Sequence, residues 1–113
     1  MIQPDGVSEM TDKELIELAA KAAGLHVKVA SNSGRGLKVH GNCNWWNPLT
    51  DDGDALRLAV KLGIELEFFS STVYAGPRKT AKYAVDKEHD LDMAAATRRA
   101  IVRAAAQIGK EME

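Results

Sequence analysis

Apolar positions recur along this chain in two rhythms, one of three to four residues and one of two. Leu15, Leu18, Ala19 and Ala22 fall at helical spacing. Thr11 stands before them with Glu14 three residues on, a capping-box pair, and Met10 is placed to staple onto Leu15. Gly24 supplies a stop. The spacing predicts a first helix over 12–23. Leu25, Val27 and Val29 then alternate with His26 and Lys28, and Leu37 and Val39 alternate with Lys38 and His40. Both runs read as half-buried strands. Ser31-Asn32-Ser33-Gly34-Arg35-Gly36 between them is turn chemistry, so the pair predicts a hairpin.

A second helix is predicted over 52–62. Pro48 disfavours helical geometry at Asn47, so the chain turns before that helix begins. Thr50 or Asp51 caps it, Gly63 ends it, and Leu56, Ala59, Val60 and Leu62 form its apolar side. Ile64, Leu66 and Phe68 alternate with Glu65 and Glu67, a strand pattern, while Phe69 breaks the polar side. Thr72 to Ala75 continue the sheet, Gly76-Pro77 marks a turn, and Ala81 to Val85 pair back. Asp90 caps a last helix over 91–108, lined by Met93, Thr97, Ala100, Ile101, Ala104 and Ile108. The expected fold class is α+β: a mainly antiparallel sheet of about four to five strands packed with three helices, sandwich-like. Residues 1–10 are expected to be a flexible arm and 11–113 a single domain.

Composition narrows the function more than it names one. The 113 residues are 45% hydrophobic and 27% charged with a formal net charge of -1, an ordinary globular balance. Whole-molecule attraction to nucleic acid or an anionic membrane is not expected from that charge. One cysteine, Cys43, rules out an intramolecular disulfide. No apolar run reaches the ~20 residues that span a bilayer, and Met1 to Asp12 lacks a basic region followed by an apolar stretch. A cytoplasmic setting is expected.

The densest segment is Asn44-Trp45-Trp46-Asn47-Pro48-Leu49-Thr50-Asp51-Asp52-Gly53-Asp54, which holds both tryptophans. Asp51, Asp52 and Asp54 sit in the first turn of the second helix, where the positive end of the helix dipole attracts carboxylates without any metal. A hard cation needs several oxygens converging on one point, and only Glu65 or Glu67 could add to these three. Consecutive tryptophans in extended chain point to opposite sides. One can be core and the other at the edge or surface, where an indole anchors a protein partner or stacks on a base; the competing reading has both covering the apolar layer between the second helix and the sheet. Trp45, Trp46 and Leu49 are therefore the candidate partner-binding residues.

Other constellations are thinner. His40 and Cys43 have a His-x-x-Cys spacing, with His26 across the hairpin and His89 distant, too few ligands for a structural zinc. Cys43 as a nucleophile would need an activating histidine and an oxyanion pocket, which no local signature supplies. Ser33-Gly34-Arg35-Gly36 could cradle an anion through backbone N–H groups, but it joins two strands instead of opening a helix. Arg98, Arg99 and Arg103, with Arg78, Lys79 and Lys82 upstream, could join into a phosphate-contacting patch. At 100° per residue the three arginines fan over about 140° of helix, so a solvated face is the competing reading. No catalytic residue, metal or cofactor is expected.

Three patches resemble the NinX-like phage proteins and related phage α-β-α sandwich domains. They are Leu15-Ile16-Glu17-Leu18-Ala19-Ala20-Lys21-Ala22-Ala23-Gly24, then Trp46-Asn47-Pro48-Leu49-Thr50-Asp51-Asp52-Gly53-Asp54-Ala55-Leu56-Arg57-Leu58, then Ala96-Thr97-Arg98-Arg99-Ala100-Ile101-Val102-Arg103-Ala104-Ala105. The middle patch, a Trp-Asn-Pro segment feeding an acidic helix start, is the most specific. The likeness spans roughly residues 11–108 and implies a phage or prophage accessory protein with no reaction to transfer. The expected function is non-enzymatic binding of a protein partner or a second copy in the host cytoplasm. The alternative is a small nucleic-acid-binding module using Lys79, Lys82, Arg98, Arg99 and Arg103.

Overall fold

The computed structural model describes residues 10–30, 35–39, 45–68, 72–77, 83–86 and 92–112. Among the described residues, three helices and five strands follow in the order α1 (Asp12–Ala22), β1 (Val27–Ala30), β2 (Leu37–Val39), α2 (Asp52–Leu62), β3 (Ile64–Phe68), β4 (Thr72–Pro77), β5 (Tyr83–Asp86) and α3 (Met93–Lys110). The α+β class is as expected. The strands do not form one sheet: β1 and β2 make an antiparallel pair of their own, and β3-β4-β5 make a three-stranded antiparallel sheet. No helix of the described residues is long and apolar enough to cross a membrane.

The local signals act where they stand. Thr11 Oγ1 accepts the Glu14 N–H at 3.2 Å while the Thr11 N–H donates to Glu14 Oε1 at 2.9 Å, a closed capping box. Asp51, not Thr50, caps α2, accepting the Asp54 N–H at 2.8 Å. Asp90 lies outside the described residues; α3 starts later than expected, with Asp92 Oδ1 accepting the Ala95 N–H at 2.7 Å. Gly76-Pro77 is no turn. It ends β4, opposite Glu65 and Ile64 of β3. Pro77 lies past the β4–β5 register, which ends at Ala75 among the described residues, so β4 has the character of an edge there, where a proline is tolerated.

α3 is the hub of the core. It packs against α1, α2 and all three strands of the larger sheet, and Ala96, Ala100, Ile101, Val102, Ala104, Ala105 and Ala106 are buried along it. Small side chains let the neighbouring backbones close in. At Gly109 a Cβ would collide with the Leu18 carbonyl of α1. Leu15, Ile16, Ala19, Leu37, Val39, Trp46, Leu58, Ile64, Val73 and Ala75 complete the cluster.

α2 is rotated from the expected orientation. The side it buries carries Asp54, Ala55, Leu58 and Ala59. Leu56 and Val60, expected inside, are 60% and 73% exposed. The reason is polar: the Asp54 carboxylate has the Asn47 N–H as a partner in the interior, and Leu58 follows one turn behind it on the same side.

Candidate functional site

The tryptophan corner is assembled from backbone hydrogen bonds first. Trp46 bridges to Leu37 of β2, with N–H to carbonyl bonds of 2.7 and 2.8 Å in the two directions. The approach is so close that Gly36, at φ 111, has no room for a Cβ: one would lie 2.7 Å from the Asn47 Cβ and closer still to the Trp46 carbonyl. Asn47 then turns the chain. Its Oδ1 accepts the Leu49 N–H at 3.0 Å, and its carbonyl accepts the Thr50 and Asp51 N–H groups at 3.2 and 3.0 Å. Pro48 is fully buried.

Two charged groups lock that turn. Asp54 Oδ2 accepts the Asn47 N–H at 3.0 Å, and Asp54 Oδ1 pairs with Arg57 at 2.8 Å. From α3, Arg98 Nε donates to the Leu49 carbonyl at 2.8 Å and its Nη1 to Asp52 Oδ1 at 2.6 Å. The three aspartates thus diverge: Asp51 caps, Asp52 holds Arg98, and Asp54 holds Asn47 and Arg57. Among the described residues no three His, Cys, Asp or Glu side chains gather in a way that could hold a metal ion.

Of the tryptophan pair, Trp46 is the enclosed member and Trp45 is half-buried. Lys38 Nζ stands 5.2 Å from the Trp45 ring centroid, within cation–π range. Leu49 is partly buried against the core. The helical arginines are not a free stripe. Arg98 is committed to the corner, Arg99 pairs with Asp12 of α1 at 3.2 Å, and Arg103 is half-buried. Lys79, Lys82 and Arg78 lie outside the described residues, as do His40, Cys43, His89 and Ser33-Gly34 of the loop.

Beside the corner runs an open groove of about 290 Å³ whose walls come from α2, β3 and α3. Leu56, Leu66 and Ile101 line it, with Phe68 at its rim and the Arg98–Asp52 pair at one end. Phe68 is 58% exposed. Ile64, Leu66 and Phe68 share one face of β3, and their cover thins along the strand from buried to half-buried to exposed. The alternation in the sequence marks that face as inward, but where α2 stops covering it depends on the helix rotation.

No family model, curated protein or solved structure matches this chain.

The groove is poor in groups that do chemistry. Its ionisable members, Asp52 and Arg98, are spent on each other. What it offers is apolar surface beside a fixed charge pair, the composition of a contact face. Sequence reading misses the exposure of Leu56, Val60 and Phe68 because their apolar character argues for the core. It also misses Arg98 as a clamp, since its partners lie 46 and 49 positions away.

Proposed function

We propose that this chain is a non-enzymatic binding protein that acts by covering the surface of a protein partner. The single observation behind the reading is the exposed apolar pair Leu56 and Phe68 lining the groove, with Val60 exposed one turn along α2 from Leu56. Exposed large apolar groups clustered on one side of a small protein are costly in water and favour association. The Trp45–Trp46 corner supports this face: Trp46, Pro48 and Leu49 hold the entry to α2, and Trp45 adds a half-buried indole. The Trp46 to Leu58 patch supports placing the chain among NinX-like phage accessory proteins. A sandwich-like layering of helices on sheet and a place in the host cytoplasm belong to the same proposal.

The test uses surface variants that keep the core. Phe68→Glu and Leu56→Glu should leave the circular dichroism spectrum and unfolding midpoint close to wild type. Each should abolish capture of a partner that wild type retains in 0.5 M salt, a persistence expected of apolar contact, with about that salt concentration already screening charge contacts. Retention by both variants would sink the reading. A basic patch on α3 is the other candidate, and duplex DNA separates the two: with Arg98 and Arg99 engaged by acids, random duplex at physiological salt should bind no tighter than the non-specific range of about 10⁻⁴ to 10⁻⁶ M.

A further inference from the structure

Charge is distributed unevenly along the chain. None of the 16 Asp and Glu falls between residues 18 and 50, whereas Lys21, Lys28, Arg35 and Lys38 do, along with His26 and His40. The remainder of the molecule holds 11 Lys and Arg against those 16 acids, which is why the net charge of -1 hides a cationic segment. The described part of that segment includes the β1–β2 ribbon and the strand-like approach of Trp45 and Trp46 to it.

The register decides what the outer face of this ribbon carries. Leu37 and Trp46 are bridge partners, and both are buried. In an antiparallel bridge the next pair is Lys38 with Trp45, and side chains one step along point to the opposite face. Trp45 and Lys38 therefore share the outer face, consistent with the 5.2 Å between the ammonium and the ring. Arg35, two residues before β2, and Lys28 in β1 are exposed. Lys28 sits where the β1–β2 register slips, between Val27 and Val29.

We infer that the outer face of the β1–β2 ribbon binds single-stranded nucleic acid, with Trp45 stacking on a base and Lys28, Arg35 and Lys38 contacting phosphates. A half-exposed indole with cations on a short ribbon is the pairing that single strands require: a π surface for a base and positive charge along the backbone. A duplex keeps its bases stacked and offers Trp45 nothing, and an anionic membrane needs no aromatic stack. Lys28, Arg35, Lys38 and Trp45 do not line the α2–β3–α3 groove, and Trp45 is the one residue that this inference shares with the protein-binding reading.

The experiment is fluorescence anisotropy of labelled oligo-dT and oligo-U strands against the full chain, with a duplex of equal length and phosphatidylserine vesicles as parallel arms. Both single strands should bind in the micromolar range and the duplex at least tenfold more weakly. Three phosphate contacts predict about a twentyfold loss of affinity between about 50 and 200 mM salt. Trp45→Ala should weaken binding about tenfold or more, Trp45→Phe should retain most of it, and Trp45 emission should be quenched by the strand. Lys28→Glu with Lys38→Glu should abolish binding, while Lys61→Glu on α2 should leave it unchanged. Equal affinity for duplex, binding to vesicles alone, indifference to Trp45→Ala and to the Lys28/Lys38 pair, or no binding of either strand at low salt would each overturn the inference. Persistence of partner capture in the Lys28/Lys38 variant would show that the two faces act separately.

Discussion

Asp54 and Asn47, seven residues apart, meet inside the protein: the Asp54 carboxylate accepts the Asn47 backbone N–H at 3.0 Å, with Asp54 only 8% exposed. An acidic residue in the first turn of a helix ordinarily faces water and the helix dipole. Here it also closes the turn that delivers the chain into that helix, and so fixes which side of α2 is buried. Asp54→Ala would leave the Asn47 N–H without its acceptor and Arg57 without its nearest carboxylate. A loss of about 2–3 kcal/mol is expected. Asp54→Asn keeps an acceptor and should lose about half as much. Urea unfolding of both variants is the measurement; equal losses would mean that the ion pair, not the hydrogen bond, holds the corner.

Arg98 spans the corner with a fork that lysine lacks. Its Nε serves the Leu49 carbonyl while its Nη1 serves Asp52. The arginine side chain is 19% exposed and that of Asp52 78% exposed. The carbonyl contact therefore holds more than the ion pair, which water screens. Arg98→Lys should cost about 1–3 kcal/mol. Its coupling to Asp52, measured by a double-mutant cycle with Asp52→Ala, should stay below about 1 kcal/mol.

Two glycines are sites of contact. Gly→Ala inside a helix normally stabilises by about 1 kcal/mol. Gly109→Ala should instead destabilise by about 2 kcal/mol, because the new methyl must push α1 away at Leu18. Gly36→Ala combines a left-handed φ with a collision against the Trp46–Asn47 backbone, and at least about 3 kcal/mol is expected. Thermal unfolding reads both, and a raised midpoint for Gly109→Ala would contradict the close α1–α3 approach.

The tryptophans should separate cleanly. Trp46→Ala removes an enclosed indole and should cost about 3–5 kcal/mol. Trp45→Ala loses a half-buried ring and its Lys38 contact, and should cost about 1 kcal/mol. In the single-tryptophan proteins made by Trp→Phe replacement, Trp46 should emit at shorter wavelength than Trp45 and resist quenching by acrylamide.

Local rules account for the elements that could be read without a fold. Thr11 with Glu14, Asp51 before α2 and Gly63 after it all act within about four residues of chain, and each stands where the spacing places it. The Asn47-Pro48 turn is equally local. The candidate face is legible only in part: the Trp45–Trp46 pair marks one inward and one outward ring, but not which ring is which. That choice comes from the Leu37–Trp46 bridge, a pairing of residues with no signal in common.

Sequence by itself determines the α+β class, the three helices found among the described residues, most of their caps and the presence of a built corner at Trp45 to Asp54, because these follow from side-chain spacing and short-range hydrogen bonds. Tertiary structure alone decides that the strands divide into a pair and a trio, that Arg98 reaches back to Leu49, and that Leu56 and Val60 turn outward. The helix α2 has apolar groups on more than one side, and periodicity cannot rank them. The ranking is made by Asp54, whose carboxylate finds an amide partner only in the interior and turns the helix to reach it.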